Sequence, residues 1–164
     1  MGISIDTISL SNYGFDISNV PTVTNGAYSA GDIMGGLMTF NPVATNDAKF
    51  ILENILITFK SAVQPNLTAI IFNANPTGTT TTDNAPYSLA TTDAFKVRAA
   101  IPINATGGIF TDHGTPNTFQ VGNLDLPMAP VTGGTAIYLL LIDNTGVTLG
   151  STTDLQVVLS GWGS

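Results

Sequence analysis

One histidine, one glutamate and ten aspartates are the side chains here that could move a proton or hold a metal. His113 is the single imidazole. A hydrolytic triad needs a base, a nucleophile and an orienting carboxylate brought together from separate segments, and Asp112 is merely its chain neighbour. No Gly-x-Ser-x-Gly elbow occurs. A glycosidase needs two carboxyl groups at fixed separation. Glu53 is the only Glu and falls within a strand pattern, while Asp47, Asp83, Asp112 and Asp143 stand at turn positions, where Asp bonds locally to the backbone. A hydrolase would have to work through His113 or Glu53. Zinc has no ligand set without cysteine and with one histidine. Calcium could use the hard oxygens of Asp83-Asn84 with Asp93, or of Asp143-Asn144, but no EF-hand spacing is present, and turn or cap roles account for these residues more simply. Gly35-Gly36 opens no dinucleotide fingerprint and there is no phosphate-binding loop. The expectation is no catalytic residue, no metal and no cofactor.

The elements that would position any site are strands. Pro and Gly recur too often for long helices, and no window repeats apolar residues at helical spacing. Ile3 to Ile8 begins with alternation. Asn25-Gly26 signals a tight turn between Pro21–Thr24 and Ala27–Ala30. Ile33 to Phe40 reads as a strand interrupted by Gly35-Gly36, which suggests a bulge. Phe50 to Lys60 is the clearest strand, with Ile51, Glu53, Ile55, Ile57 and Phe59 expected on one core-facing side. Glu53 there would need Lys49, Lys60 or Arg98 as partner, unless that end of the strand leaves the core. Leu67 to Asn73 and Thr135 to Asp143 are apolar throughout and read as central strands. Phe95 to Ile103 alternates, with Phe95, Val97, Ala99, Ile101 and Ile103 inward, and Pro102 marks an edge position or a bulge. Thr91-Thr92-Asp93 could cap one helical turn before it. Phe119 to Val121 and Asp154 to Trp162 complete about eight strands. The fold class is all-β, a two-sheet antiparallel β-sandwich of jelly-roll type. Residues 19–164 form one domain and 1–18 an N-terminal arm or edge strand. Two stretches, 75–92 and 106–116, exceed ordinary hairpin loops.

Composition narrows the function. Only 9% of residues are charged, against about 25% in ordinary soluble domains. Such a chain must show Thr, Ser, Asn, Gly and apolar area on its surface, which suits a protein covered by other protomers, because interface cores are depleted of charge. A net charge of −7 with only four cations, Lys49, Lys60, Lys96 and Arg98, argues against nucleic acid and anionic membranes. The absence of Cys leaves the core and subunit contacts to hold the fold. Residues 1–16 lack the cationic start and apolar run of a signal peptide, so a soluble, cytosolic origin is expected.

The segments AYSAGDIMGGLMTF, ILITFKS, AIIFNANPTGTTTTDNAPYSLATTDAFKVRAAIPI and AIYLLLIDNTGVTLGSTTDLQVVL resemble a family of small structural proteins of tailed bacteriophages and prophages. The shared pattern is Phe72–Pro76, the Thr79–Thr82 stretch, Asp83-Asn84, Asp93–Lys96 and Ser151–Leu155. The resemblance covers most of residues 27–160 and carries no site residues. It implies a non-enzymatic virion protein, most simply a capsid decoration (cement) protein. Such a protein bridges major capsid protein subunits on the capsid exterior, is assembled in the host cytoplasm, and self-associates as a dimer or trimer. Expected contact residues are Ile3, Ile5 and Ile8 on the arm, and Tyr87, Phe110 and Trp162. Alternatives are a tail or baseplate component, and a carbohydrate-binding attachment module using Tyr87, Phe110 and Trp162.

Overall fold

The computed structural model describes residues 13–42, 49–104, 109–112 and 116–163, with only the backbone described at 13 and 109–112. In chain order the elements are β1 (Tyr13–Asn19), β2 (Gly26–Ala27), β3 (Ile33–Phe40), β4 (Phe50–Phe59), β5 (Leu67–Phe72), a short 3-10 helix (Thr91–Lys96), β6 (Val97–Ile103), β7 (Ile109–Asp112), β8 (Asn117–Val121), β9 (Leu126–Met128), β10 (Ile137–Asp143), β11 (Thr148–Leu149) and β12 (Leu155–Gly163). One sheet runs β1-β12-β4-β8-β7 with β9 also on β4, a second runs β3-β10-β5-β6, and β11 and β2 form a small two-stranded sheet. All pairings are antiparallel. Among the described residues, eight strands have five residues or more. The first pairs with the last (β1:β12), the second with the seventh (β3:β10), the third with the sixth (β4:β8) and the fourth with the fifth (β5:β6). These nested pairs fall alternately in the two sheets, which is a jelly roll. The expected fold class holds. Tyr13–Asn19, which straddles the boundary read at 18/19, pairs with β12 at the edge of its sheet; residues 1–12 of the segment read as an arm or edge strand lie outside the described residues.

Alternation explains the core. Ile55, Ile57 and Phe59 of β4, Leu155, Val157 and Leu159 of β12, Leu67, Ala69 and Ile71 of β5, and Leu139 and Leu141 of β10 meet between the sheets. Each such large side chain contributes about 1.5–3 kcal/mol on burial. A second cluster, Ile33, Ile70, Phe72, Leu140 and Ile142, lies apart from this core, with Tyr87, Val97 and Tyr138 packed on it. β5 and β10 are therefore apolar on both faces, as their continuous apolar runs require. The long 75–92 excursion lies beside this cluster: Ile33 N donates to Ala85 O, Asn84 N to Ile33 O and Tyr87 N to Gly31 O.

Scarce carboxylates tie this excursion down. Asp83 accepts from Gly35 N at 2.5 Å, Thr24 N at 2.7 Å, Thr24 Oγ1 at 2.6 Å and the Tyr28 hydroxyl at 2.8 Å. Burial, and next the bond to Asp83, push the Tyr28 phenol well above its usual pKa. Gly35 and Gly36 adopt φ of 77° and 65°, and a Cβ at Gly35 would stand 2.6 Å from the Pro21 ring, so the expected bulge needs glycine there. Asp93, fully buried, accepts from Gly78 N, Thr79 N, Thr79 Oγ1 and, at 2.6 Å, Lys96 Nζ. Asp154 accepts from Ser61 N and Ser61 Oγ, and Asp143 from Thr145 N and Oγ1. The turn and cap roles read for Asp83 and Asp143 are their roles in the fold.

Several expectations fail for identifiable reasons. Asn25-Gly26 closes no hairpin; Gly26 and Ala27 pair instead with Leu149 and Thr148, because long-range pairing outcompetes the local turn. Phe95 does not point inward. The 3-10 helix continues through it, leaving Phe95 91% exposed, and the strand starts at Val97. A register shift in β6 between Val97 and Ala99 then sends Val97 to the second cluster while Ala99 and Ile101 face the main core. Pro102 does sit on an edge strand. The 106–116 stretch is not a plain loop, since Ile109–Asp112 pairs with β8. In β4, Ile51 and Glu53 do not share the inward face of Ile55. The ladder with β12 matches Asn54 to Ser160 and then Leu52 to Gly161, leaving Glu53 as an extra residue. Phe50 and Leu52 take the inward places.

Removing the Asp83 carboxylate strands two backbone N–H groups, a hydroxyl and a phenol. Asp83→Ala should lower unfolding free energy by about 2–3 kcal/mol in urea titrations. The Lys96 ammonium first, and its N–H and hydroxyl donors next, hold Asp93 well below the usual carboxylate range. A depressed folded pKa contributes stability that is complete above the unfolded value near ~4 and is lost as pH falls toward the folded one. The melting temperature should therefore drop more steeply below about pH 4 in wild type than in Asp93→Asn, measured by calorimetry.

Candidate interaction site

The bulge at Glu53 decides what β4 shows to the outside. Upstream of it the alternation inverts, so Ile51 faces out, 41% exposed. Gly161, opposite the bulge, has to be glycine: a Cβ there would drive into the Ile51 carbonyl. The loop between β8 and β9 closes on the same point, with Leu124 N donating to Glu53 O at 3.1 Å. β8 pairs with Ile55–Phe59 and β9 with Phe50–Leu52, so the bulge marks the break between them.

Trp162 pairs with Ile51 on one side and Gly14 on the other, and Ile51 pairs in turn with Pro127. Gly14 leaves room for the indole, whose ring lies 3.5 Å from where a Cβ would stand. Trp162 is 53% exposed and lines a groove of about 1120 Å³ at this end of the sandwich. Lys49, Arg98 and Asn73 border the groove, together with Val131, which is half exposed. Arg98 donates to the Phe95 carbonyl at 3.3 Å, which ties the exposed Phe95 turn to the groove's rim. Two of the four cations of the chain, Lys49 and Arg98, thus stand on one apolar groove.

The other side of Trp162 is acidic. A second depression of about 500 Å³ is lined by Asp16, Glu53, Asn54 and Trp162, among others. Partial desolvation first, and the negative charge of Asp125 second, raise the Glu53 carboxyl above its usual pKa. The charged neighbour that perturbs Glu53 is an acid, and of the two sequence readings it is the second, Glu53 leaving the core, that the bulge realises. Asp125 is held there by a loop in which Asn123 and Asp125 both have positive φ, 56° and 44°.

Of the two sequence-read contact residues whose side chains are described, Trp162 lines the groove and Tyr87 does not. Tyr87 is half-buried against the second cluster. Phe110 is in β7, its side chain outside the described residues, as are Ile3, Ile5, Ile8 and His113. Tyr87 and Trp162 belong to different walls of the sandwich, so the three aromatics form no common platform. Phe95 and Ile51 read from sequence as core-facing, Arg98 as a candidate partner of Glu53, and none of them, nor Val131, as a contact residue. Phe95 is hidden from pattern reading because its spacing fits the alternation of β6; the Thr-Thr-Asp cap signal preceding it was the available clue. Among the described residues no three of His, Cys, Asp and Glu group as a metal site, and no helix is long and apolar enough to cross a membrane. The chain matches no model of a known protein family and no characterised protein.

Glu53 carries a raised pKa because its ionised form is disfavoured in the fold. That penalty is absent at low pH, where the carboxyl is protonated, and appears as pH rises through the folded pKa. Glu53→Gln should therefore raise the melting temperature at pH 7, with the gain vanishing in acid; equal gains at both pH values would contradict this geometry.

Proposed function

We propose that this chain is a non-enzymatic structural protein of a tailed-phage particle, a capsid decoration protein that bridges major capsid protein subunits and stabilises the head. The observation that carries this reading is the end of the sandwich around Trp162. There Phe95, Trp162, Ile51 and Val131 are exposed beside Arg98, in a chain with only 9% charged residues. Large apolar residues with Trp and Arg at the centre are the composition of contact hot spots. Scattered exposed apolar residues are ordinary, but a run of them across paired strands and round a groove is a surface made for other protomers. The jelly roll agrees, being a fold of viral capsid domains, although fold alone fixes no function. The resemblance read from the sequence over most of residues 27–160 suggests the setting. On this reading residues 1–10, with Ile3, Ile5 and Ile8, reach a neighbouring subunit and add a strand there.

Jelly rolls also serve as lectin domains. Trp162 beside Asn73 and Thr132 is the feature that favours a glycan-binding attachment module. Binding on a glycan array, lost in Trp162→Ala, would select that reading.

The test is occupancy on particles. Trp162→Ala and Phe95→Ala should each weaken binding to stripped capsids by about 2 kcal/mol or more. Deleting residues 1–10 should abolish occupancy while the domain stays folded by circular dichroism. Unchanged occupancy in all three would refute the proposal.

A further inference from the structure

The surface around Trp162 has two electrical halves. Arg98 and Lys49 border the groove on one side of the indole, and Asp16 and Glu53 line the depression on the other. Asp125 adds to the acidic half through its effect on Glu53. Between them runs the apolar row of Gly14, Trp162, Ile51 and Pro127, set by strand register. A surface with a cationic half, an acidic half and an apolar centre is complementary to itself after a twofold rotation. Like charges then separate, opposite charges meet, and the apolar rows stack.

We infer that the occupant of this end is a second copy of the chain. Two protomers pair isologously, each laying its Trp162 against the other's groove, with Arg98 of one facing the Glu53 and Asp16 side of the other. Placement of one cation set and one acid set on opposite sides of a single Trp is what selects a like partner. A strongly acidic partner would leave the Asp16–Glu53 side repelled, and a basic one would leave the Arg98–Lys49 side repelled. The pairing also relieves a local conflict, because a partner cation set beside Glu53 offsets the repulsion from Asp125. Arg suits this place, since its guanidinium both stacks on aromatic rings and bonds carboxylates. The inference deepens the proposed function by naming the protomer at this end. With this end covered by the second copy, each protomer meets the capsid through another surface, and Trp162→Ala lowers occupancy by costing the dimer its avidity on a repetitive shell.

The experiment uses the full chain alone, without particles. Sedimentation velocity over a concentration series should show a monomer–dimer equilibrium that weakens with salt. Trp162 is the only tryptophan, so its emission reports the contact directly and should shift to shorter wavelength as the dimer forms. Arg98→Glu and Glu53→Lys should each weaken dimerisation about tenfold or more, since like charges then meet twice in the twofold contact. An equimolar mixture of the two variants should recover dimer, because both contacts then join opposite charges. This recovery separates reciprocal pairing from general damage, and Glu53→Lys also removes the clash with Asp125, so it should fold. A monomer at every concentration, a dimer indifferent to both reversals, or a mixture that fails to recover would each overturn the inference. Particle occupancy is read separately. A dimer absent from particles would overturn the virion role alone, and a monomer that still coats particles would overturn the dimer alone.

Discussion

The molecule turns on one extra residue in its longest strand. Nine of the ten residues of β4 pair with β12 on one side, the other side pairs with β8 and β9, and the ladder can keep its inner face apolar only by skipping Glu53. A strand with strict alternation would bury Glu53 beside Ile55 and Ile57, at the cost of an unpaired carboxylate in the core. The bulge avoids this. It puts Phe50 and Leu52 inside, lifts Glu53 out, and turns Ile51 to the exterior. Gly161 permits the close approach that this requires. Trp162 stands beside Ile51 on the outer face through the unbroken alternation of β12. The exposed apolar row is therefore a by-product of protecting the core, one that provides a contact surface.

Charge is the second constraint. With eleven acids and four cations, the chain uses most described carboxylates as internal acceptors. Asp83, Asp93, Asp143 and Asp154 hold loops by taking N–H and O–H donors, and Lys96 closes the Asp93 network. Each replaces a short stretch of secondary structure that the Thr- and Gly-rich segments cannot form. Around Trp162 the surface charges are Arg98 and Lys49 on one side and Asp16, Glu53 and Asp125 on the other. So sparse a surface charge makes the position of each group matter more, since few others mask it.

Legibility followed the range of the interactions. Leu67–Phe72 and Ile137–Asp143 were readable as central strands because apolarity on both faces is written in consecutive residues. Leu155, Val157 and Leu159 were readable as one face of the last strand and Val158 and Trp162 as the other, and that simple alternation survives in β12. Gly35-Gly36 announced its bulge because only glycine takes those φ values cheaply. The bulge at Glu53 was not announced by its own residue. Its sign was Gly161, more than a hundred positions away in the chain, and the pairing of the two is a fact of register. Phe95 was misread because one 3-10 helix, fastened by the Asp93–Lys96 and Asp93–Thr79 contacts, overrode a continuous period-two pattern.

The sequence by itself determined the all-β class, the approximate strand set, the absence of thiol chemistry and the dearth of charge, since each of these is a sum over residues or a local period. Tertiary structure alone decided the nested jelly-roll pairing, the inversion at Glu53, and the meeting of Trp162, Ile51, Arg98 and Phe95 at one end. Those depend on which strands become neighbours and in what register, and a register is chosen by the burial of whole faces at once, which no single segment encodes.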